Sequence, residues 1–206
     1  MRPRIAIALM VATALAFGAL IVAVERARDR SSGSEPSAQE RQASRFEGAL
    51  MPPGVRAPDF ALRDERGRAI SMDQFRGRPV AVTFLYTTCE DTCPAQAQQI
   101  KGALDQLDRP VPAVAIAVDP PRDTPAKARE FLDKYDLAGR MRWVLGSKEQ
   151  LEPLWRGFAI QEQRPDVEHQ ARIVLIDRDG YQRIGFPADQ ATPERLAHDL
   201  RELGAG

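Results

Sequence analysis

From the N-terminus the chain opens on an uncharged apolar run, IAIALMVATALAFGALIVAV over residues 5 to 24, behind Arg2 and Arg4. A helix through that run rises about 30 Å, the depth of a bilayer's hydrocarbon core. The basic flank and the length predict a single N-terminal transmembrane helix within residues 1–24, with everything after it exported. Export followed by signal-peptide cleavage is the alternative, since Ala12, Ala14 and Ala16 place small residues inside the run. Arg26, Arg28 and Arg30 on the far side keep the basic-residue bias from fixing orientation by itself. From Glu25 to Leu50 the pattern turns polar and loses its bulky apolar positions. Such a stretch buries too little to offset its ordering entropy, and residues 25–50 are expected to be a linker.

Beyond it, in residues 51–206, short apolar blocks alternate with amphipathic ones. Phe60-Ala-Leu62 and Ala69-Ile70 flank a polar turn containing Gly67, the pattern of a β-hairpin. Val80 to Tyr86 is apolar, β-branched and aromatic throughout, as a strand covered on both faces requires. Ile100, Leu104 and Leu107 then recur at helical spacing, and Val111 to Val118 is a second buried strand. Thr124 followed by Pro125 opens a helix carrying Phe131, Leu132 and Tyr135 on one face. After a strand at Arg142–Leu145, Ser147 and Gln150 have capping-box spacing ahead of Leu151, Leu154 and Trp155. Ile173–Ile176, the turn Asp177-Arg-Asp-Gly180 and Tyr181–Phe186 form a late hairpin, and Thr192-Pro193 starts the last helix. Strands separated by helices, closed by a hairpin and a helix, predict an α/β domain: a thioredoxin-like mixed sheet flanked by helices.

Charge narrows the function little but usefully. Acidic and basic residues number 29 each, which gives no electrostatic case for nucleic acid. The two cysteines, Cys89 and Cys93, are too few to staple a fold this size and are spaced as a site. They fall between the Val80–Tyr86 strand and the next helix, where open α/β sheets place their chemistry. On an ideal helix they would share one face, one turn apart. Helix-terminal amides would then favour a thiolate, and the pair could form a local disulfide or bind a soft metal ion. Zinc and copper both suit two thiolates and one imidazole. Of the two histidines, His198 lies in the final helix as a surface or packing residue, whereas His169 sits in a loop directly before the Ile173 strand. Asp119, Arg122 and Asp123 either shape the neighbouring loop or contact a client, or else form a solvated turn and helix-start cluster, and Phe84, Tyr86, Trp143 and Trp155 are assigned to packing.

The segment Thr83-Phe-Leu-Tyr-Thr-Thr-Cys89-Glu-Asp-Thr-Cys93-Pro94, followed by Ala117-Val-Asp119-Pro-Pro-Arg-Asp123-Thr-Pro125, Val167-Glu-His169 and Leu175-Ile-Asp-Arg-Asp-Gly180, resembles the Sco/SenC family of copper chaperones for cytochrome c oxidase. The resemblance runs from about Ala57 to Leu203. It implies that Cys89, Cys93 and His169 bind copper, as Cu(I) or Cu(II), on a thioredoxin-like fold. It further implies that the chain assists assembly of the binuclear copper centre of oxidase subunit II, with an upstream copper donor and a thiol reductant as further partners. The expected location is a bacterial inner membrane, with the C-terminal domain in the periplasm. A membrane-tethered thiol-disulfide oxidoreductase, with Cys89 and Cys93 as its redox pair, is the alternative activity. Three positions depart from the family's usual pattern: Glu90 stands where proline is common after the first cysteine, and Gln170 and Val174 replace a usual serine and tyrosine.

Overall fold

The computed structural model describes residues 45–160 and 171–205, together with Leu20 and Glu25. The chain divides into two compact units, Met1–Arg41 and Gln42–Gly206. In the first, Leu20 and Glu25 are helical and exposed. The apolar run otherwise lies outside the described residues, among which no helix is long and apolar enough to cross a membrane.

In the second unit the described elements run β1 (Ala49–Leu50), β2 (Ala61–Asp64), β3 (Ala69–Ser71), a 3-10 turn (Met72–Phe75), β4 (Val80–Leu85), α1 (Thr92–Asp105), β5 (Ala113–Ala117), α2 (Pro125–Lys134), β6 (Met141–Leu145), α3 (Lys148–Gly157), β7 (Arg172–Ile176), β8 (Gln182–Pro187) and α4 (Pro193–Ala205). All the strands join one mixed sheet in the order β1-β8-β7-β4-β5-β6-β2-β3. β4, β5 and β6 are parallel neighbours, with α1 and α2 as the crossovers. β7 lies antiparallel on the other side of β4 and continues into β8. This is the mixed α/β sheet flanked by helices that the apolar pattern predicts.

Every residue of β4 and β5 is buried, which explains sequences that are apolar but for Thr83. Adjacent β4 side chains point to opposite faces: Thr83 donates to Gln96 of α1 at 2.8 Å, while Phe84 meets Phe158 edge-on at 5.3 Å. Trp143 packs against Phe131 of α2, and the Trp155 indole N–H donates to the Ala117 carbonyl at 2.9 Å. These aromatic residues belong to the core, as expected for Phe84, Trp143 and Trp155.

The local start signals hold. The Thr124 hydroxyl accepts the Lys127 amide, and Gln150 accepts the Ser147 amide at 2.9 Å. Gly67 turns the β2–β3 hairpin at φ +74°, a conformation that disfavours any residue with a Cβ. Gly102 has a packing role instead, since a Cβ there would meet Pro193 at 2.9 Å where α4 begins beside α1.

The N-terminal edge extends further back than the polar sequence indicates. Ala49 and Leu50, assigned above to the linker, pair with Gly185 and Ile184 of β8. The preceding amides of Glu47 and Gly48 donate to the buried carboxylate of Asp199 at 2.9 and 3.0 Å. Arg45 bonds to Glu202.

Candidate metal centre

The site grows from the end of β4. After Leu85 the chain turns through Tyr86–Asp91, with the Cys89 amide donating to the Tyr86 carbonyl at 3.3 Å, and α1 begins at Thr92. Only Cys93 is helical, so the two cysteines do not meet as one-turn neighbours on a regular helix. Instead the Cys93 amide donates to the Cys89 sulfur at 3.2 Å, and the Thr92 hydroxyl lies 3.6 Å from that sulfur. Asp91 is the N-cap residue but makes no side-chain cap bond. The Cys89 sulfur therefore accepts a helix-terminal amide that an Asp or Ser oxygen commonly satisfies. Both cysteines are free thiols; Cys93 is completely buried and Cys89 is 8% exposed.

The pair divides its protons unequally. Cys89 is brought down to about 4, chiefly by the hydrogen bond from the Cys93 thiol, with burial opposing and with Tyr86, Thr92 and the Cys93 amide adding donors. Cys93 is pushed upward, first by burial and then by its bond to Cys89. At neutral pH the resting pair is thus a Cys89 thiolate beside a Cys93 thiol, holding one proton between them. Burial, followed by the bond to Cys89, also drives the Tyr86 hydroxyl upward and keeps it a donor. Tyr86 belongs to this site and not merely to strand packing. Its place three residues before Cys89 was the available signal, but a tyrosine ending an apolar strand carries no mark that separates the two roles.

A second loop braces the first. Asp123 accepts the Thr87 amide at 2.7 Å through one oxygen and the Asp119 amide at 3.1 Å through the other. The Thr87 hydroxyl donates to the Arg122 carbonyl, and Arg122 ion-pairs with Asp119 at 2.5 Å. The cluster thus ties the turn after β4 to the turn after β5. Asp123 is pushed up to about 6 by burial, against the pull of its Thr87 and Asp119 hydrogen bonds. Of the sequence-based readings, loop shaping is observed. Glu90 lies exposed in the cysteine turn.

His198 is engaged on α4 with the adjacent Asp199, Nδ1 lying 3.0 Å from Oδ1. His169 and Gln170 fall outside the described residues. Among the described residues no group of three or more His, Cys, Asp or Glu side chains could hold a metal ion, so the thiol pair contributes two donors. The chain after His169 enters the sheet at an informative place: Ile173 of β7 pairs with Thr83 of β4. β7 thus starts beside the end of β4 from which the cysteine turn departs.

A parallel β4–α1–β5 unit, an antiparallel β7–β8 hairpin and a thiol pair at the strand-to-helix junction define a thioredoxin-like thiol protein. The family model for SCO1/SenC matches residues 52–205, most of the chain, and the chain belongs to that family. It is 31% identical over 175 residues to a Bos taurus protein named SCO2 homolog, mitochondrial, covering 77% of this chain and 65% of the relative. With the Homo sapiens protein of that name it shares 30% over 145 residues, covering 64% and 54%. The chain therefore spans less than two thirds of the length of these relatives. Bradyrhizobium japonicum ScoI, solved with copper bound, superposes with a TM-score of 0.59 at 28% identity, covering 72% of this chain and 99% of that one. Apo Sco1 from Thermus thermophilus has the same fold, with a TM-score of 0.65 at 24% identity over 77% and 96% of the two chains.

Proposed function

We propose that the folded unit is an extracytoplasmic copper-binding metallochaperone that assists assembly of the binuclear copper centre of cytochrome c oxidase, with oxidase subunit II as its client. The observation that carries this reading is the meeting of Cys89 and Cys93 at one sheltered point, the first already a thiolate held by the thiol and amide of the second. Copper is the cargo, and the donors suit it: thiolates select Cu(I), and imidazole accepts either oxidation state. His169 is the third ligand in this account. It precedes Ile173 by four residues, at most about 14 Å of chain, and Ile173 pairs beside the strand that leads to the cysteines. The copper-loaded relative at 28% identity supports the metal assignment.

Binding would take Cys89 as it stands and displace the proton from Cys93. Three protein donors leave copper open to an incoming client ligand, so the ion passes by exchange and is never free. Oxidation of the pair removes both thiolates and with them the affinity for the metal. An upstream copper donor and a thiol reductant are needed to reload the site. The oxidoreductase alternative uses the same thiols and draws no separate support from this arrangement. The apolar run 5–24 behind Arg2 and Arg4 supports a single-pass attachment to a bacterial inner membrane, with the folded unit in the periplasm.

Anaerobic titration with Cu(I) tests the reading. The reduced protein is expected to bind one copper per chain and the oxidised protein none; equal uptake in both states would overturn it.

A further inference from the structure

The end of the sheet opposite the cysteine turn carries a concentration of positive charge that copper binding leaves unused. Two adjoining hollows, of about 560 and 550 Å³, share the Leu107–Val111 turn. Arg78, Arg109, Arg140, Arg142, Arg178 and Arg201 line them, against the single carboxylate of Asp108. Arg140 and Arg142 are ion-paired with Asp105 and Asp64. Among the described residues, Arg78 and Arg201 donate only to the backbone carbonyls of Gln74 and Gln106, and Arg109 makes no ion pair. In a chain with equal numbers of acids and bases, this excess is local. Partly exposed Leu107 and Val111 lie between the guanidinium groups and give the face an apolar centre.

Position indicates what such a face meets. Arg78 stands just before β4, Arg109 before β5, and Arg201 in the closing turns of α4, all at one end of the sheet. The thiols leave from the other end of β4, whose six residues measure about 20 Å. Arg45, where the described chain of this unit begins, bonds to Glu202 and so adjoins Arg201 in the same helix. Residues 25–44 separate Arg45 from the apolar run, a length of chain that reaches no more than about 70 Å. A unit held so close to a bilayer meets its surface at high effective concentration, so even a weak basic face engages it.

We propose that the arginine-lined face around Leu107–Val111 docks on anionic lipid headgroups, holding the Cys89–Cys93 end turned away from the membrane and toward soluble client domains. The proposal rests on the membrane attachment advanced above. Guanidinium groups ion-pair with phosphate oxygens, and the apolar centre suits the headgroup boundary.

The test is hydrogen exchange on the reduced full chain in lipid nanodiscs, comparing phosphatidylcholine alone with discs containing about a third phosphatidylglycerol. The amides of Leu107, Asp108, Arg109, Val111, Ala113 and residues 201–205 are expected to exchange at least about fivefold more slowly in the anionic discs. That protection should vanish at about 0.5 M salt and in the double variant Arg78→Glu/Arg109→Glu. Arg78→Gln/Arg109→Gln should give an intermediate effect, and copper stoichiometry should remain that of the parent in both. Equal exchange in the two disc types, protection that survives both charge reversals, or protection that needs an acidic client protein instead of lipid would overturn the proposal. Failure of the chain to stay on neutral discs would count against the anchor alone, and the difference between lipids would still decide the docking face.

Discussion

The Cys93 amide donates to the Cys89 sulfur at 3.2 Å, and the Cys93 thiol, the larger influence, joins it in holding Cys89 in its ionised form. The sulfur both ends the cysteine turn and caps α1. Local backbone geometry and thiol chemistry are therefore set by one pair of residues.

The Cys93 thiol and amide together predict an acid-shifted titration. Thiolate absorbance of the reduced, copper-free protein should fall with a midpoint near 4 as pH is lowered. Cys93→Ala, which removes that donor, should move the midpoint upward most, since the Cys93 thiol is the largest cause, and Tyr86→Phe should move it less in the same direction. Stability follows by linkage. The folded-state value of Cys89 lies below its unfolded value of about 8.5, so its contribution is complete above that value and is lost as pH falls toward 4. Cys93 is shifted the other way, so above about pH 8.5 the unfolded chain sheds a proton that the native state keeps, and stability declines. Denaturation midpoints across pH, compared with those of Cys89→Ser, check both signs.

A second consequence is a proton count. Because Cys89 enters as a thiolate and Cys93 as a thiol, Cu(I) uptake at neutral pH should release about one proton per copper, where two ordinary thiols would release about two. Calorimetry in buffers of different ionisation enthalpy measures this directly.

Asp123 supplies a third. Replacing it with alanine strands the Thr87 and Asp119 amides, which should cost about 1 to 3 kcal/mol by denaturant unfolding. Asp123→Asn keeps one carbonyl acceptor and should lose less. Copper affinity should fall with the loosening of the cysteine turn, and in the same order.

Much of this architecture was legible in the sequence because its causes are local. The buried, β-branched Val80–Leu85 strand, the Thr124-Pro125 start and the Ser147–Gln150 box each need only near neighbours. What escaped depends on distant partners or on unusual chemistry. β1 is two residues long and is fixed by β8 and by Asp199, some 150 positions away. Helix α1 begins at Thr92, ahead of the Ile100, Leu104 and Leu107 spacing that marks it, where a cysteine sulfur takes the amide that sequence rules reserve for an oxygen. The roles of Tyr86 and Asp123 follow from burial beside another loop, which no spacing encodes. The cysteine pair was legible as a pair, though its expected one-turn helical arrangement gives way to a thiol turn capping a helix. His169 was singled out by its place before the Ile173 strand and by family resemblance, and its role as a ligand is a proposal.

An imidazole from residue 169 joining these two sulfurs on copper is what the proposed function needs most. Competition for Cu(I) against a chelator of known affinity, run on the reduced protein and on His169→Ala, tests it most directly. The account predicts that the variant still forms its Cys89–Cys93 disulfide but holds copper at least about tenfold more weakly, roughly 1.4 kcal/mol. Equal affinity in the two proteins would contradict it.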